Sequence, residues 1–94
     1  MRRLCIDREM SRRLGECGLS RSAVIGFHAG LRDDLEKRYQ LYRSSRHPQD
    51  PRFFRYFLAI ADETTTHRFD FVIDASTSPD HLFVVEFRHE TEPA

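Results

Sequence analysis

Between residues 67 and 89 the chain carries two segments in which apolar and polar side chains alternate, joined by a connector rich in Asp, Ser, Thr and Pro. Alternation with a period of two is typical of strands in a sheet that has one buried and one exposed face. The apolar sets are His67, Phe69, Phe71 and Ile73 in the first segment, and Phe83, Val85 and Phe87 in the second. Because the connector residues favour turns, the pattern predicts an antiparallel hairpin.

The alternation also predicts which side chains share each face of this hairpin. Directly opposed residues in an antiparallel pair project to the same face, so a common core requires odd-numbered positions to pair with odd-numbered positions. The opposite face then collects four charged side chains, Arg68, Asp70, Glu86 and Arg88. Two interpretations follow: an exposed face with ordinary cross-strand ion pairs, or a functional site.

Short apolar patterns before this hairpin predict a strand and a first helix. Residues 3–6 (RLCI) are the candidate strand, and Asp7 follows as a cap for a helix over residues 8–17. The apolar stripe of this helix is Met10, Leu14 and Cys17, at helical spacing. Gly18 is suited to end the helix, because glycine readily adopts the left-handed conformation found after helix ends.

A second, longer amphipathic helix is predicted over about residues 21–43, with Ser20 as its cap. Its apolar stripe is Val24, Phe27 (or His28), Leu31, Leu35, Tyr39 and Tyr42. Gly26 and Gly30 lie four residues apart, which allows either a close backbone approach or a kink near Gly30. Two prolines in residues 44–52 (SSRHPQDPR) predict an irregular connection after the helix.

The run FFRYFLAIA over residues 53–61 predicts a further strand that is apolar on both faces. Phe54, Tyr56, Leu58 and Ile60 are expected to face the core. The other face presents Arg55 between Phe53 and Phe57, which is either internal packing or a row able to stack nucleic-acid bases. A turn then leads into the hairpin, and the tail, residues 91–94, is expected to be disordered.

In order, these elements are strand, helix, helix, strand, strand and strand. Three consecutive antiparallel strands form a meander, and two amphipathic helices cover one side of it. The sequence therefore predicts a single α+β domain over residues 1–94, with two amino-terminal helices packed on one face of a mainly antiparallel sheet. The charged face that carries Arg68 and Arg88 is expected to stay open.

Composition limits the kinds of function that such a chain can have. With 94 residues it has little room for an internal ligand cavity, so function is expected at the surface. No apolar run is long enough for a membrane span, no signal peptide is visible, and a cytoplasmic location is the default. Cys5 and Cys17 lack metal-site spacing and the five histidines are scattered, so neither a metal nor a cofactor is expected.

The net charge of zero conceals an imbalance between the two halves of the chain. Residues 1–46 carry a net charge of +5, whereas residues 47–94 carry −5. Fourteen of the fifteen cationic side chains are Arg. Arg suits bidentate contacts with phosphate or carboxylate, although a high genomic GC content explains the same bias equally well.

The order of elements, the length and the strings HRFDFVID and LFVVEFRHE together resemble the RelE/ParE superfamily of bacterial toxins from type II toxin–antitoxin systems. The resemblance covers nearly the whole chain. In the RelE branch it implies ribosome-dependent cleavage of mRNA on the open sheet face, so that the protein would be an endoribonuclease (mRNA interferase). The resemblance implies a catalytic set of Arg68, Arg88, His89, Glu90 and Glu86, with Arg55, Arg52 and Phe57 as RNA contacts.

Within that implied site the arginines would stabilise the pentavalent phosphate as negative charge builds up on it. Attack by a 2′-hydroxyl also needs a proton acceptor and a proton donor, roles implied for His89 with Glu90 or Glu86. The expected partners are the ribosome with its mRNA and a cognate antitoxin, whose carboxyl-terminal segment often binds the helices in these families.

Two further functions fit the same sequence. Members of the ParE branch are described as inhibiting DNA gyrase without cutting nucleic acid, and a degenerate toxin could retain only its protein contacts. The half that bears the implied site is acidic, and the Tyr frequent near the end of the family's last strand is absent, since Tyr39, Tyr42 and Tyr56 come earlier. A small helper domain without a toxin history is the third alternative.

Overall fold

Two helices lie on one face of a five-stranded sheet in the computed structural model, which describes residues 2–38, 46–47 and 50–93. The elements in chain order are β1 (Arg3–Cys5), α1 (Arg8–Gly15), α2 (Arg21–Arg38), β2 (Arg46–His47), β3 (Asp50–Asp62), β4 (Thr65–Asp74) and β5 (His81–Pro93). The strand order is β1-β5-β4-β3-β2, with β1 parallel to β5 and the other neighbours antiparallel. The predicted α+β class, with two helices on one face of a mainly antiparallel sheet, is confirmed.

Both helices begin at side chains that satisfy free backbone N–H groups. The Asp7 carboxylate accepts a hydrogen bond from the Met10 N–H at 2.8 Å, and the Ser20 hydroxyl accepts one from the Ala23 N–H at 3.3 Å. Between the helices, Gly18 has a φ of 83°, which glycine adopts without steric cost. The caps predicted at Asp7 and Ser20 are therefore confirmed.

The core lies between α2 and the helix side of the sheet and is largely aromatic. The Phe27 ring centroid lies 4.9 Å from that of Phe69 and 6.1 Å from that of Phe71. Phe71 is fully buried and also contacts the rings of Tyr56 and Phe87. Burial of such a side chain contributes about 1.5–3 kcal/mol, so this cluster is the main stabilising feature of the fold.

The predicted helical stripes agree with the observed core over the described residues. Leu14 of α1 is buried, and so are Phe27, Leu31 and Leu35 of α2. Met10 and Cys17 are partly buried against the same cluster. The last part of the predicted second helix, including Tyr39 and Tyr42, lies outside the described residues.

A β-bulge at Val85 changes which side chains of β5 enter the core. Ile73 is opposite Val84 and Val72 is opposite Glu86, so Val85 has no partner on β4. Before the bulge the buried side chains are Leu82 and Val84; after it, Phe87 is buried. The prediction that Phe83 and Val85 face the core is therefore wrong, whereas the prediction for Phe87 is confirmed.

The outer edge of β1 is closed by two side chains of α2. The Leu4 N–H donates to Glu36 Oε2 at 2.7 Å, and Arg32 Nη1 donates to the Leu4 carbonyl oxygen at 3.0 Å. Unpaired strand edges can pair with other chains, so these bonds protect the sheet on this side. They also fix α2 across the end of β1.

A two-residue turn joins β3 to β4, and the start of α2 is bound to it. Asp62 is opposite Thr65, and Glu63 in the turn has a φ of 56°, which is costly for a residue other than glycine. The Asp62 carboxylate accepts hydrogen bonds from the Ser20 N–H at 2.7 Å and from its hydroxyl at 2.8 Å. These bonds lower the pKa of Asp62, the backbone bond having the larger effect.

The structure corrects the expectation of an irregular segment for residues 46–47 and 50–52, whereas residues 44–45 and 48–49 lie outside the described residues. Residues 46–47 form β2, and β3 already begins at Asp50. Pro51 is tolerated there because it precedes Phe53, the first residue of β3 that is opposite β4, so no bond to β4 needs its missing N–H.

The structure also corrects the expectation of a disordered tail. β5 continues to Pro93, and Thr91, Glu92 and Pro93 lie opposite His67, Thr66 and Thr65. The tight turn after β3 starts β4 early enough to provide these partners. Residues 91–93 therefore belong to the sheet.

Candidate functional site

The sheet face opposite the helices presents charged side chains on three adjacent strands. The register sets side by side the rows Arg55, Val72 and Glu86; Phe57, Asp70 and Arg88; and Ala59, Arg68 and Glu90. Because directly opposed residues project to the same face, Arg68, Asp70, Glu86 and Arg88 share this open face, as the alternation predicts. Both Arg68 and Arg88 are exposed.

Two of the arginines on the open face are already paired with carboxylates. The Arg55 guanidinium donates hydrogen bonds to both carboxylate oxygens of Asp70 across β3 and β4. This contact raises the pKa of Arg55 further above its usual range. Arg68 donates from Nε at 2.8 Å and from Nη2 at 2.6 Å to Glu92 Oε1. Both arginines are therefore held in place by a neighbouring strand.

The third arginine, Arg88, is different. Neither Arg88 nor Glu90 makes a side-chain hydrogen bond or an ion pair with any residue in the described ranges, and the same is true of Glu86. All three side chains are exposed on β5. Their charges are therefore free to meet a ligand.

A shallow depression of about 360 Å³ lies at the centre of this face. It is lined by Phe57, Leu58, Ala59, Arg68, Phe69, Asp70, Arg88 and Glu90. The Phe57 side chain is 62% exposed, and the Arg55 guanidinium carbon lies 4.8 Å from its ring centroid. An exposed aromatic ring in a depression that also contains the unpaired cation of Arg88 is an arrangement that can hold a nucleotide base and its phosphate.

The remaining residues implied by the resemblance lie elsewhere. His89 faces the helix side, since it follows the same alternation as buried Phe87, and its Nε2 lies 2.9 Å from Nδ1 of His67. Arg52 precedes the first β3 residue opposite β4, and its guanidinium lies 5.3 Å from the Phe53 ring. On the open face the structure brings together Arg68, Arg88, Glu90, Glu86, Arg55 and Phe57. His89 lies on the helix side and borders, with Glu86, Arg88 and Glu90, a separate depression between α1 and β5, and Arg52 lies before the rows that face β4.

Two partners were not expected from the sequence. Glu92 holds Arg68, but the sequence reading places it in a disordered tail. His67 and His89 fall on the same face of the predicted hairpin, so their contact could have been found by extending the odd-to-odd pairing to the ends of the strands. The alternation in the sequence was therefore sufficient to predict the contact between the histidines, but not the contact of Glu92 with Arg68.

Neither a metal centre nor a membrane helix is found in the part of the chain that the structure describes. Over residues 2–38, 46–47 and 50–93, no group of three or more His, Cys, Asp or Glu side chains could hold a metal ion. Over the same residues, no helix has the length and apolar character needed to cross a membrane. The candidate site is therefore described by its side chains alone.

Comparison of the chain with protein-family models, with curated proteins and with solved structures found no match. The open face is therefore interpreted from the side chains that it presents and from their geometry. Three features matter most: the free charges of Arg88 and Glu90, the exposed ring of Phe57, and the fixed guanidinium of Arg68.

Proposed function

We propose that the chain is a RelE/ParE-like toxin of a type II toxin–antitoxin system and that it cleaves mRNA on the ribosome. One observation carries the proposal: Arg88, Glu90, Arg68 and the exposed Phe57 line a single depression on the sheet face that the helices leave open. The order of elements, with two helices before an antiparallel meander, supports the resemblance.

The proposed chemistry is a transesterification within the RNA strand. The 2′-hydroxyl oxygen attacks the adjacent phosphorus, the bond to the 5′-oxygen of the next nucleotide breaks, and a 2′,3′-cyclic phosphate forms. Glu90 accepts the proton of the attacking hydroxyl, because it is an unpaired carboxylate beside the arginines. The leaving 5′-oxygen takes its proton from a group that the ribosomal complex supplies.

The other side chains position and stabilise the RNA. Arg88 binds the phosphate as negative charge builds up on its oxygens, and Arg68, held by Glu92, lies on the neighbouring strand at a fixed place. Phe57 stacks on a base next to the cleaved bond, a contact that tolerates every base. His89 has no part in this chemistry, since it lies on the other face of the sheet.

The test uses purified protein, ribosomes carrying an mRNA, and mapping of the new RNA ends. We expect Arg88→Ala to slow cleavage about 100- to 1000-fold and Glu90→Gln to slow it at least about 100-fold. Both side chains are exposed, so circular dichroism should show an unchanged fold. Arg21→Ala, an exposed arginine at the start of α2, is the control and should cleave normally. Wild-type rates in both site variants would refute the proposal.

A second candidate is a module that binds a protein without cutting RNA. On the open face Arg3, Arg55, Arg68 and Arg88 stand against Asp70, Asp74, Glu86, Glu90 and Glu92. This excess of carboxylates repels a phosphate backbone and favours a basic partner surface. Induced expression followed by separate measurement of translation and DNA supercoiling distinguishes the two functions: the nuclease stops translation first, and a gyrase inhibitor changes supercoiling first.

We also propose that an acidic antitoxin segment binds the helices. The last turn of α2 carries Lys37 and Arg38, and Arg21 is exposed at its other end. Co-expression with the product of a neighbouring small gene, followed by co-purification, tests this partner. Replacing Lys37 and Arg38 together by Glu should abolish co-purification, because an acidic segment would then meet like charges.

A further inference from the structure

Two histidines form a direct pair on the helix side of the sheet, where the start of β4 lies beside the end of β5. His67 Nδ1 and His89 Nε2 are 2.9 Å apart, and the rings lie nearly parallel, with an angle of 15° and centroids 5.1 Å apart. The His89 ring also stacks on Phe69, with centroids 4.8 Å apart. His67 is only 4% exposed, so the pair forms part of the edge of the core.

This contact depends on the number of protons that the pair carries. A hydrogen bond between two imidazole nitrogens needs one N–H donor and one bare nitrogen as acceptor. With no added proton, or with one, this condition can be met. When both rings are protonated, both facing nitrogens carry hydrogen, so the bond is lost and two positive charges face each other. The doubly protonated state therefore opposes the observed geometry.

Charged side chains of β3 and α1 lie near the pair, and His89 is accessible to solvent. Asp62 at the end of β3 interacts electrostatically with His67, although its oxygens are bound by Ser20. From α1, Arg13, Glu16 and Cys17 line an open surface depression of about 570 Å³ together with His89 and residues 86–88 and 90 of β5. From α2, Phe27 packs on Phe69 beneath the pair and carries no charge. His89 borders this depression and is partly exposed, so protons can reach it from solvent.

We propose that the His67–His89 pair is a proton-operated latch that holds the end of β5 on β4. While the imidazoles share a hydrogen bond, residues 89–93 stay in register with β4, where Glu90 lies opposite Arg68 and Glu92 opposite Thr66. Protonation of both rings releases this segment. The rest of the sheet stays folded, because its core rests on side chains such as Phe71 and Ile73 that do not titrate.

The energetics of protonation act in the direction that the latch requires. Burial, and then the charge of His67, lower the pKa of His89 below its ordinary value. The unfolded or released segment therefore binds protons more readily than the latched one. The stability that the latch contributes is fully present above about pH 6.5 and is lost as the pH falls below that value.

If the proposed function holds, the latch also controls the open face. Arg88 and Glu90 flank His89 along β5 and point to the opposite side of the sheet. Release of the segment displaces Glu90 from the depression and leaves Arg88 at the end of the part of β5 that stays paired. This consequence rests on the proposed nuclease activity, whereas the latch itself can be tested without any activity.

The test measures amide hydrogen exchange by NMR at pH 7.5 and pH 5.0, corrected for the intrinsic pH dependence of exchange. The protection factors of the Glu90 and Glu92 amides should be at least about tenfold lower at pH 5.0 than at pH 7.5. The protection factor of the Val72 amide, opposite Glu86, should not change. In His89→Phe, whose ring can still stack on Phe69, the pH-dependent step should disappear. Equal pH steps in wild type and His89→Phe would overturn the latch.

A second measurement keeps the proposal testable should His89→Phe fail to fold. Nitrogen-15 NMR of the wild-type imidazoles should show two coupled proton-binding steps, the second coinciding with the loss of protection at Glu90 and Glu92. Independent titration of both rings, with protection unchanged, would overturn the latch. Loss of the latch with RNA cleavage intact, or the reverse, separates this inference from the proposed function.

Discussion

Val85 is the extra residue at which burial along β5 switches from even-numbered to odd-numbered positions, and its deletion removes this switch. Val85 is 39% exposed and has no partner on β4, so little contact is lost with the side chain itself. After the deletion, residues 81–84 and 86–93 form one strand in which side chains alternate between the two faces without a bulge. Because residues 86–93 are held by a long register with β4, residues 81–84 must rotate by one position, and Leu82 and Val84 then project to the open face.

The cost follows from the burial of the side chains that move. Leu82 has no exposed surface and Val84 is 4% exposed. Moving each from the core to solvent costs about 1.5–3 kcal/mol, hence about 3–6 kcal/mol for the two. Phe83 enters the core in exchange and restores part of this loss, with some strain because a ring replaces smaller side chains. Since domains of this size have about 5–15 kcal/mol of stability, the expected effect is large.

Urea unfolding followed by circular dichroism measures this effect. Val85→Ala is the matched control, because it trims the same side chain but keeps the bulge, and it should change the free energy of unfolding by less than about 1 kcal/mol. Refutation would come from a deletion variant as stable as this control. In that case the register of β5 would be set by something other than the extra residue.

Three other changes test contacts outside the bulge. Glu36→Ala leaves the buried Leu4 N–H without its acceptor and should cost about 1–3 kcal/mol in urea unfolding. Glu63→Gly relieves the positive φ of the turn and should add about 0.5–1 kcal/mol to the free energy of unfolding. Asp62→Asn should reduce thermal stability at pH 7, and the difference from wild type should shrink as the pH falls below about 4, where Asp62 loses its charge.

Each of these changes has a matched control. Lys37→Ala, next to Glu36 but exposed, should be nearly neutral, and an equal loss there would contradict the closing of the β1 edge. Glu63→Ala keeps the unfavourable φ, so a gain equal to that of Glu63→Gly would argue against backbone strain. For Asp62, a stability difference that stays constant down to pH 2 would mean that its charge is not what binds Ser20.

Alternation alone located most of the core on the central strands. Phe54, Tyr56, Phe69, Phe71, Ile73 and Phe87 are buried as predicted. On β4 the charged residues Arg68, Asp70 and Asp74 at the intervening positions identify the exposed face, whereas on β3 only Arg55 marks it. The shared face of Arg68 and Arg88 followed from the same reasoning and is confirmed.

The first half of β5 could not be resolved in this way. Leu82, Phe83, Val84 and Val85 are all apolar, so no polar residue marks the exposed face. Burial of the even-numbered residues and burial of the odd-numbered residues each place two apolar side chains in the core. Only the pairing with β4 decides between the two alternatives. The Glu86–Arg88 stretch marks the face again, but only beyond the bulge. The error at Phe83 therefore came from missing information in the sequence.

The positions of His89 and Glu92 depend on contacts that are distant in sequence. His89 directly follows Arg88, and the resemblance groups the two, yet consecutive residues of a strand project to opposite faces. Glu92 is held by Arg68 only because the short turn at Glu63 makes β4 long enough to reach it. Such effects require the full register, which local sequence patterns do not contain.

The separation of His89 from the open face leads to a last prediction about how the proposed nuclease works. No histidine lines the depression on the open face that is formed by Phe57, Arg68, Arg88 and Glu90, so among the described residues no imidazole lies there to donate a proton to the leaving oxygen. A phosphodiester whose leaving oxygen stays unprotonated reacts slowly. We therefore expect the purified protein to leave free mRNA intact and to cut only mRNA bound to ribosomes.

This dependence can be measured with one labelled mRNA, incubated with the protein in the presence and absence of ribosomes. Glu90→Gln serves as the control, because it should be inactive in both cases if Glu90 is the proton acceptor. Equal cutting of free and ribosome-bound mRNA by the wild type would mean that the chain supplies its own proton donor. His89 would then have to reach the open face, which its contact with His67 on the helix side prevents unless the end of β5 is released.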